Sequence, residues 1–495
     1  MDSPRFASQG IEGGREKDGM YDRWEIKDDR LERHLEHELK RRNLTRRDLV
    51  RGGTGMASAV GLASFLAACG GDDDDDESAS GGKPEKYTGT LRVIGLGVDL
   101  IDPIKEAGEK ALGYKLEFEV TDTVTMTQRA LTQPQSFDVF SGYVENFDQI
   151  WGSGNFIAVD RSKILRWDEV TDLVKFGRVN PKDSKCTTGQ GDAPFRKVYV
   201  DAVEEPGDGP TAWANEDSQT EGEEPPGLIG VPMNFNMDSL GYNSDVIRKE
   251  PGELSWGELF NPQWRGRAAV LADPRIALED TANAAEALDL LSFQDKGNMS
   301  EEEIDGMFKI LDELKKKKHF RAFWTTFDES VNLMQSGEVV IESMWSPAVA
   351  LLQSSGEPVR YAAPKEGFRG WFGHLGFPSH LTEDESKLQA AYDYANWWHS
   401  GVPGAIMMRQ GYYNAVQGTS RRFVKPFEWD YWIAGKPAAK AIPNPFGEET
   451  AGIKVGTVRD GGAFDERACR YATWNSFFND NDQLVVDRWN EFLAG

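Results

Sequence analysis

One acid and a few aromatic side chains carry most of the chemistry this sequence offers. Ala268 to Ala272 is a wholly apolar run of strand length that stops at Asp273-Pro274-Arg275, the pattern of a strand buried on both faces. In open α/β sheets ligands sit beyond the carboxyl ends of such strands, so Asp273 is either a site carboxylate or a strand terminator. Trp345 and Trp371 follow two more apolar runs, Val339-Val340-Ile341 and Val359 to Ala362. An indole there offers a flat apolar wall, and its quadrupole attracts an ammonium group by about 0.5–2 kcal/mol. With 15 Trp in the chain, most must be ordinary packing. Ser141 and Tyr143 stand where a third strand, Asp138-Val139-Phe140, gives way to a loop, and Tyr412-Tyr413 follow Gln410-Gly411 in a turn. Hydroxyl and phenol groups so placed can bind a polar head by hydrogen bonds.

The elements that position these groups read as alternating strands and helices. Leu91 to Ile94, a helix over Ile101 to Leu112 and a strand over Lys115 to Val120 make a βαβ opening. Val231 to Asn243 is extended chain with Pro232 near its start. Ser255, with Glu258 three residues on, predicts a capped turn over Trp256 to Phe260. Helices are expected over Asp280 to Leu291, Glu301 to Lys318, Phe327 to Met334 and Leu388 to Trp398. His374, His380 and His399 lack metal-ligand spacing and read as surface or helix-end residues. The pattern calls for no metal and no cofactor.

Composition bounds the rest. At 495 residues, with 82 Asp and Glu against 56 Lys and Arg, the chain can form more than one lobe and is too acidic for a nucleic-acid face. Residues 181–227, rich in Gly, Pro, Asp and Glu, read as a solvated acidic insert. Residues 70–86, with Asp72 to Asp76, predict a disordered acidic tether.

The first 69 residues read as an address. Thr45-Arg46-Arg47-Asp48-Leu49 resembles a twin-arginine export motif, and Leu66-Ala67-Ala68-Cys69 resembles a lipobox, which implies lipidation at Cys69. A long charged leader, Met1 to Leu44, precedes them. With Cys69 lipidated, Cys186 and Cys469 are left in an oxidising compartment, either as a disulfide or as two free thiols.

From residue 89 onward the ordered series "VP…LGYN", "SWGELFNPQWRGRAAVLADPR", "GEVVIESMWSPA", "YAAPKEGFRGWFGHLGFP" and "QGYYNAV" resembles the polyamine-type (spermidine/putrescine-binding-like) solute-binding proteins of ABC importers. The resemblance implies an α/β periplasmic-binding-protein type II fold, two lobes joined by crossing strands with a ligand cleft between. Lobe 1 would take 87–230 and 374–424, with the insert 181–227; lobe 2 would take 231–373 and 425–495. It places Ser141, Tyr143, Asp273, Trp345, Trp371 and Tyr412 in the cleft, and puts Asn475 of Trp474-Asn475 where the family has Gln. Two family carboxylates would fall on Ile276 and Gly373, and the family's N-terminal cleft aromatics give way to Leu96 and Asp99. A buried ammonium needs acidic partners, so a smaller amine, or an amino-acid-like or opine-like solute, fits this set better than a long di- or tri-cation.

The implied protein is a monomeric receptor, periplasmic or on the cell surface, held to the membrane at Cys69. It delivers a small solute to an ABC permease, closes like a hinge, and performs no catalysis. Two other readings remain open at the sequence level. One is a secreted carbohydrate-active hydrolase with Asp273 and Asp99 as its carboxylates. The other is a ferric-ion receptor with Tyr412 and Tyr413 as phenolate ligands.

Overall fold

The computed structural model describes residues 87–180, 183, 185–204, 224–478 and 481–495. The twin arginines, Cys69, the acidic tether and residues 205–223 of the insert lie outside these. The described chain opens with β1 (Thr90–Gly95), α1 (Asp102–Leu112) and β2 (Lys115–Val120). Pro103 enters the first turn of α1, and Gly113 ends it at φ 79°, a left-handed conformation that a side chain would strain. Next come α2 (Thr123–Thr132), β3 (Val139–Tyr143) and α3 (Val144–Ile150). β1 pairs in parallel with both β2 and β3.

The second group of elements comprises β4 (Val231–Asn243), β5 (Ala268–Leu271), α4 (Pro274–Ala287) and α5 (Glu301–Lys316). It continues with β6 (Phe320–Trp324), α6 (Phe327–Gln335), β7 (Ile341–Met344), α7 (Ser346–Ser355) and β8 (Val359–Tyr361). β9 (Phe368–Pro378), α8 (Glu385–Trp398), β10 (Tyr413–Asn414), β11 (Tyr471–Trp474) and α9 (Asp482–Ala494) complete it.

The main sheet runs β6-β5-β7-β4-β9-β3-β1-β2. Its two ends are parallel α/β units, and a long antiparallel pair, β4 and β9, spans the middle. β4 pairs with β9 over Val231 to Asp238, then with β7 over Ser239 to Tyr242. β9 pairs with β4 and also, over Gly373 to Gly376, with β3. The two long strands therefore cross from one α/β unit to the other. In β5, Ala268 and Val270 enter one apolar cluster while Ala269 and Leu271 enter another, so helices cover both faces of the strand, as its unbroken apolar run requires.

Several sequence expectations move by a few residues. β3 extends through Ser141 and Tyr143, which are strand rather than loop residues, and Trp371 lies within β9 rather than at a strand end. α4 begins at Pro274, not Asp280, because Asp273 caps it. Ser255 does cap the turn at Trp256–Phe260, accepting from Gly257 N at 3.1 Å. Glu258 makes no box with it and instead takes Lys249 Nζ at 2.7 Å, Asn261 Nδ2 at 2.8 Å and Trp264 Nε1 at 2.9 Å. His374 and His399 are buried, not surface residues.

The described part of the insert also departs from a solvated excursion. Gln190-Gly191 pairs with Thr473-Trp474, Thr188 O accepts Trp474 Nε1 at 2.6 Å, and Cys186 is disulfide-bonded to Cys469 with Cα atoms 4.2 Å apart. The segment is an extra layer stapled to β11. Among the described residues no helix is long and apolar enough to cross a membrane.

Candidate functional site

β4 reads Met233-Asn234-Phe235-Asn236-Met237-Asp238, polar and apolar in strict alternation, yet every one of these residues is buried. Successive strand side chains point to opposite faces, so Asn234, Asn236 and Asp238 form a polar row inside the protein. β9 supplies the facing row: Arg369 opposite Asp238 and Trp371 opposite Asn236. At Gly373 a Cβ atom would stand 2.3 Å from Asn234 Oδ1. The position that the family resemblance assigns to a carboxylate is thus the space Asn234 occupies. Ile276, the other such position, packs with Leu271 and Trp324 in an apolar cluster.

Asp99 stands at one end of the row and is fully buried. Tyr143 Oη donates to its Oδ2 at 2.7 Å, and Asn234 Nδ2 donates to its Oδ1 at 2.6 Å. Trp371 lies edge-on to both Tyr143 and Tyr412, with ring centroids 5.4 Å and 4.8 Å away. Each such pair is worth about 0.5–1.5 kcal/mol beyond its buried area. The Trp371 side chain also hydrogen-bonds Asp238. Burial pushes the Asp99 carboxyl up to about 6, against the pull of its two donors, and pushes Asp238 up to about 6 against the pull of Arg369. The result is a closely packed cage of three buried aromatic rings with an acid at either side.

A charged group continues the row. Arg369 Nε donates to Asp280 Oδ1 at 2.7 Å, Nη1 donates to Asn475 Oδ1 at 2.5 Å, and Nη2 stands 3.7 Å from Asp238 Oδ2. Asn475 Nδ2 donates to Glu145 Oε1 at 3.3 Å. Burial, with the nearby charge of Asp273, raises Glu145 to about 7. Asp238, Asp280 and Glu279 all act electrostatically on the single guanidinium of Arg369, so acid is in excess here. Asn234 Oδ1, Asn236 Oδ1, Glu145 Oε2 and Arg369 Nη2 are buried with no hydrogen-bond partner in the protein. Buried polar atoms of this kind are rare and costly unless something satisfies them.

Tyr143, Trp371 and Tyr412 thus share one cage, and Asn475 belongs to the adjoining charged group. Asp273 is half-buried; its Oδ1 accepts from Arg275 N at 3.0 Å and Ile276 N at 3.2 Å, and its charge reaches Glu145. Trp345 is half-buried, edge-on to Trp324 at 5.3 Å, and its neighbour Ser346 accepts from Asn236 Nδ2 at 2.7 Å. The Ser141 hydroxyl is spent on Met233 Sδ at 3.7 Å and touches none of the acids above.

Tyr412 and Tyr413 diverge. The ring of Tyr413 lies 4.6 Å from Phe464, and its oxygen accepts from Arg459 at 2.8 Å. A phenolate pair on one ferric ion has no geometry here. Asn234, Asn236, Asp238, Glu145 and Arg369 escaped the sequence reading, although the period-two polar residues inside an otherwise apolar strand announced the first three.

Two α/β units joined by crossing strands, with a buried aromatic and acidic array on those strands, define a binding-protein architecture. A family profile described as bacterial extracellular solute-binding protein matches residues 101–420, and the chain belongs to that family. The fold resembles an ABC transporter substrate-binding protein from Bradyrhizobium japonicum at TM-score 0.53 and 16% identity, covering 82% of this chain and 100% of that one. It also resembles the PBP AgtB from A. tumefaciens R10 in complex with agropinic acid (0.51, 15%, 83% and 100%). A third match is a spermidine/putrescine ABC transporter substrate-binding protein from Streptococcus pneumoniae (0.50, 12%, 82% and 99%).

Proposed function

We propose that this solute-binding protein captures a small amine-bearing solute, polyamine-like, amino-acid-like or opine-like, and hands it to an ABC permease without chemical change. The observation that carries this reading is the cage of Tyr143, Trp371 and Tyr412 between Asp99 and Asp238. Aromatic faces and edges with flanking carboxylates recognise an ammonium group by cation–π attraction and charge. The uncharged polar atoms of Asn234 and Asn236 provide acceptors for its N–H groups.

In this reading Asp99 and Asp238 supply in space the acids missing at Ile276 and Gly373. Glu145 and Asp273 complete the acidic side, with the Asn475 amide held between Arg369 and Glu145, and Trp345 walls it. Ser141 supports β3 rather than the ligand. The lobes are 87–230 with 374–424 and 231–373 with 425–495, and they hinge on β4 and β9 to open and close over the solute. The chain works as a monomer outside the cytoplasmic membrane, exported by the twin-arginine signal and anchored through lipid on Cys69. A thermal-shift screen tests the proposal, because a solute that binds only the folded state raises its melting temperature. Amines are expected to stabilise the protein and to be recovered unaltered.

A further inference from the structure

β4 and β9 are not the sole ties between the two α/β units. Residues 186–192 run beside β11, and the chain then returns to the first unit. It forms a short helix, Pro194–Lys197, whose Lys197 Nζ pairs with Asp148 Oδ2 of α3 at 2.9 Å. It continues into Tyr199–Val200, which pairs with Gly227–Leu228, itself paired with Val159–Asp160. β11 belongs with the second unit, since α9 behind it docks on α5 through Arg488 and Asp305 at 3.0 Å.

Contact between residues 186–192 and that unit is continuous. Thr187 N donates to Cys469 O at 2.9 Å, and Tyr471 N donates to Thr187 Oγ1 at 3.0 Å. Gly191 N donates to Asp295 Oδ1 at 2.8 Å and Lys296 N to Gln190 Oε1 at 3.1 Å, so the loop before α5 grips the segment too. Asp192 N donates to Ser476 Oγ at 2.9 Å, and its Oδ2 accepts from Phe477 N at 3.1 Å. A Cβ at Gly297 would stand 2.3 Å from Gly191 Cα, so the segment lies in a close-fitting slot. The Cys186–Cys469 bond closes its other end covalently.

This tie lies on one edge of the crossing strands. β11 and β3 pair with β9 on the edge away from β4, while β10, which follows Tyr412, pairs with β4 on the opposite edge. Asn475, directly after β11, bridges Arg369 of β9 to Glu145 of α3. Two strands alone permit rotation between lobes, whereas a third, covalent tie restricts which way they part.

We propose that residues 186–192 are an inter-lobe strap, locked by the Cys186–Cys469 bond, that holds the β11 edge of the cleft shut so that the lobes part on the β10 edge. The proposal rests on the hinging lobes of the preceding subsection. Breaking the bond frees the β11 edge and widens the opening.

The test measures the distance between lobes in the mature protein with no solute present. Double electron–electron resonance is recorded between spin labels on ketone-bearing residues placed at Gln128 of α2 and Lys309 of α5, both exposed. The oxidised wild type is expected to give a narrow distribution. Reductant, and separately Cys186→Ser, should each broaden it and lengthen its mean by more than about 2 Å. The reduced wild type carries the test where the variant fails to fold, with circular dichroism as the check. An equally broad distribution in all three states overturns the strap and leaves the hinge standing. An equally narrow one overturns the strap together with the hinge it rests on. Because no solute is used, failure of the amine assignment leaves the result untouched.

Discussion

Tyr143 Oη donates to Asp99 Oδ2 at 2.7 Å while its ring stands edge-on to Trp371. One side chain from β3 thereby joins a buried acid to the indole of β9, and the rest of the cage is arranged about that joint. Asp99→Asn keeps the size of the side chain and removes its charge. Amine affinity is expected to fall at least about tenfold, since a hydrogen bond to a charged group contributes about 1.5–3 kcal/mol. Isothermal titration with the best amine from a screen checks it.

Titration of the cage acids makes binding depend on pH. An ammonium ligand needs Asp99 and Glu145 ionised, and these groups hold their protons up to about 6 and about 7. Amine affinity should therefore rise between about pH 5 and pH 7. Stability of the unliganded protein moves the other way. The folded Asp99 carboxyl binds its proton more tightly than the ordinary 3.8, so its contribution is most favourable below that value. It is lost as pH rises towards 6, by about 3 kcal/mol. Denaturant melts of wild type and Asp99→Asn across this window check the sign: the variant should lose that part of the slope.

Asp273 has two jobs that different substitutions separate. Its carboxylate caps α4 and faces Glu145. Asp273→Ala should cost about 1 kcal/mol of stability, the usual worth of an N-cap, and also weaken amine binding. Asp273→Ser restores the cap without the charge, so stability should return while binding stays weak. Recovery of full affinity in the serine variant would show that the charge plays no part.

The cysteine staple secures β11, and with it Asn475. Because Cys186 and Cys469 are 283 residues apart in the chain, their bond removes much freedom from the unfolded chain. Reduction should lower stability by about 2–5 kcal/mol. Chemical denaturation with and without reductant measures this, and Cys186→Ser should reproduce the reduced value.

How much of this was legible follows from what each pattern encodes. The βαβ opening and the apolar run of β5 are local signals, and the structure places those strands close to where the sequence put them, whereas Trp371, expected at a strand end, lies inside β9. The strand exit at Asp273 was legible as well, but its role as a cap was hidden in Asp-Pro, which reads equally as a turn. What failed to show was anything requiring two distant strands in register. Gly373 looks like a lost acid until Asn234, 139 residues earlier in the chain, is seen to fill its space. Asp99 looks like a loop acid until Tyr143 and Asn234 converge on it. Arg369 gave no signal, because its partners Asp280 and Asn475 come from α4 and from the end of β11.

The central claim is that the Asp99–Trp371 cage holds an ammonium group. The most direct measurement is calorimetric titration of the wild type and of Trp371→Leu with a series of primary amines and their isosteric alcohols. The account predicts that an amine binds the wild type, that the matching alcohol does not, and that Trp371→Leu abolishes the difference while remaining folded. Equal binding of amine and alcohol, or undiminished amine binding in Trp371→Leu, would contradict it.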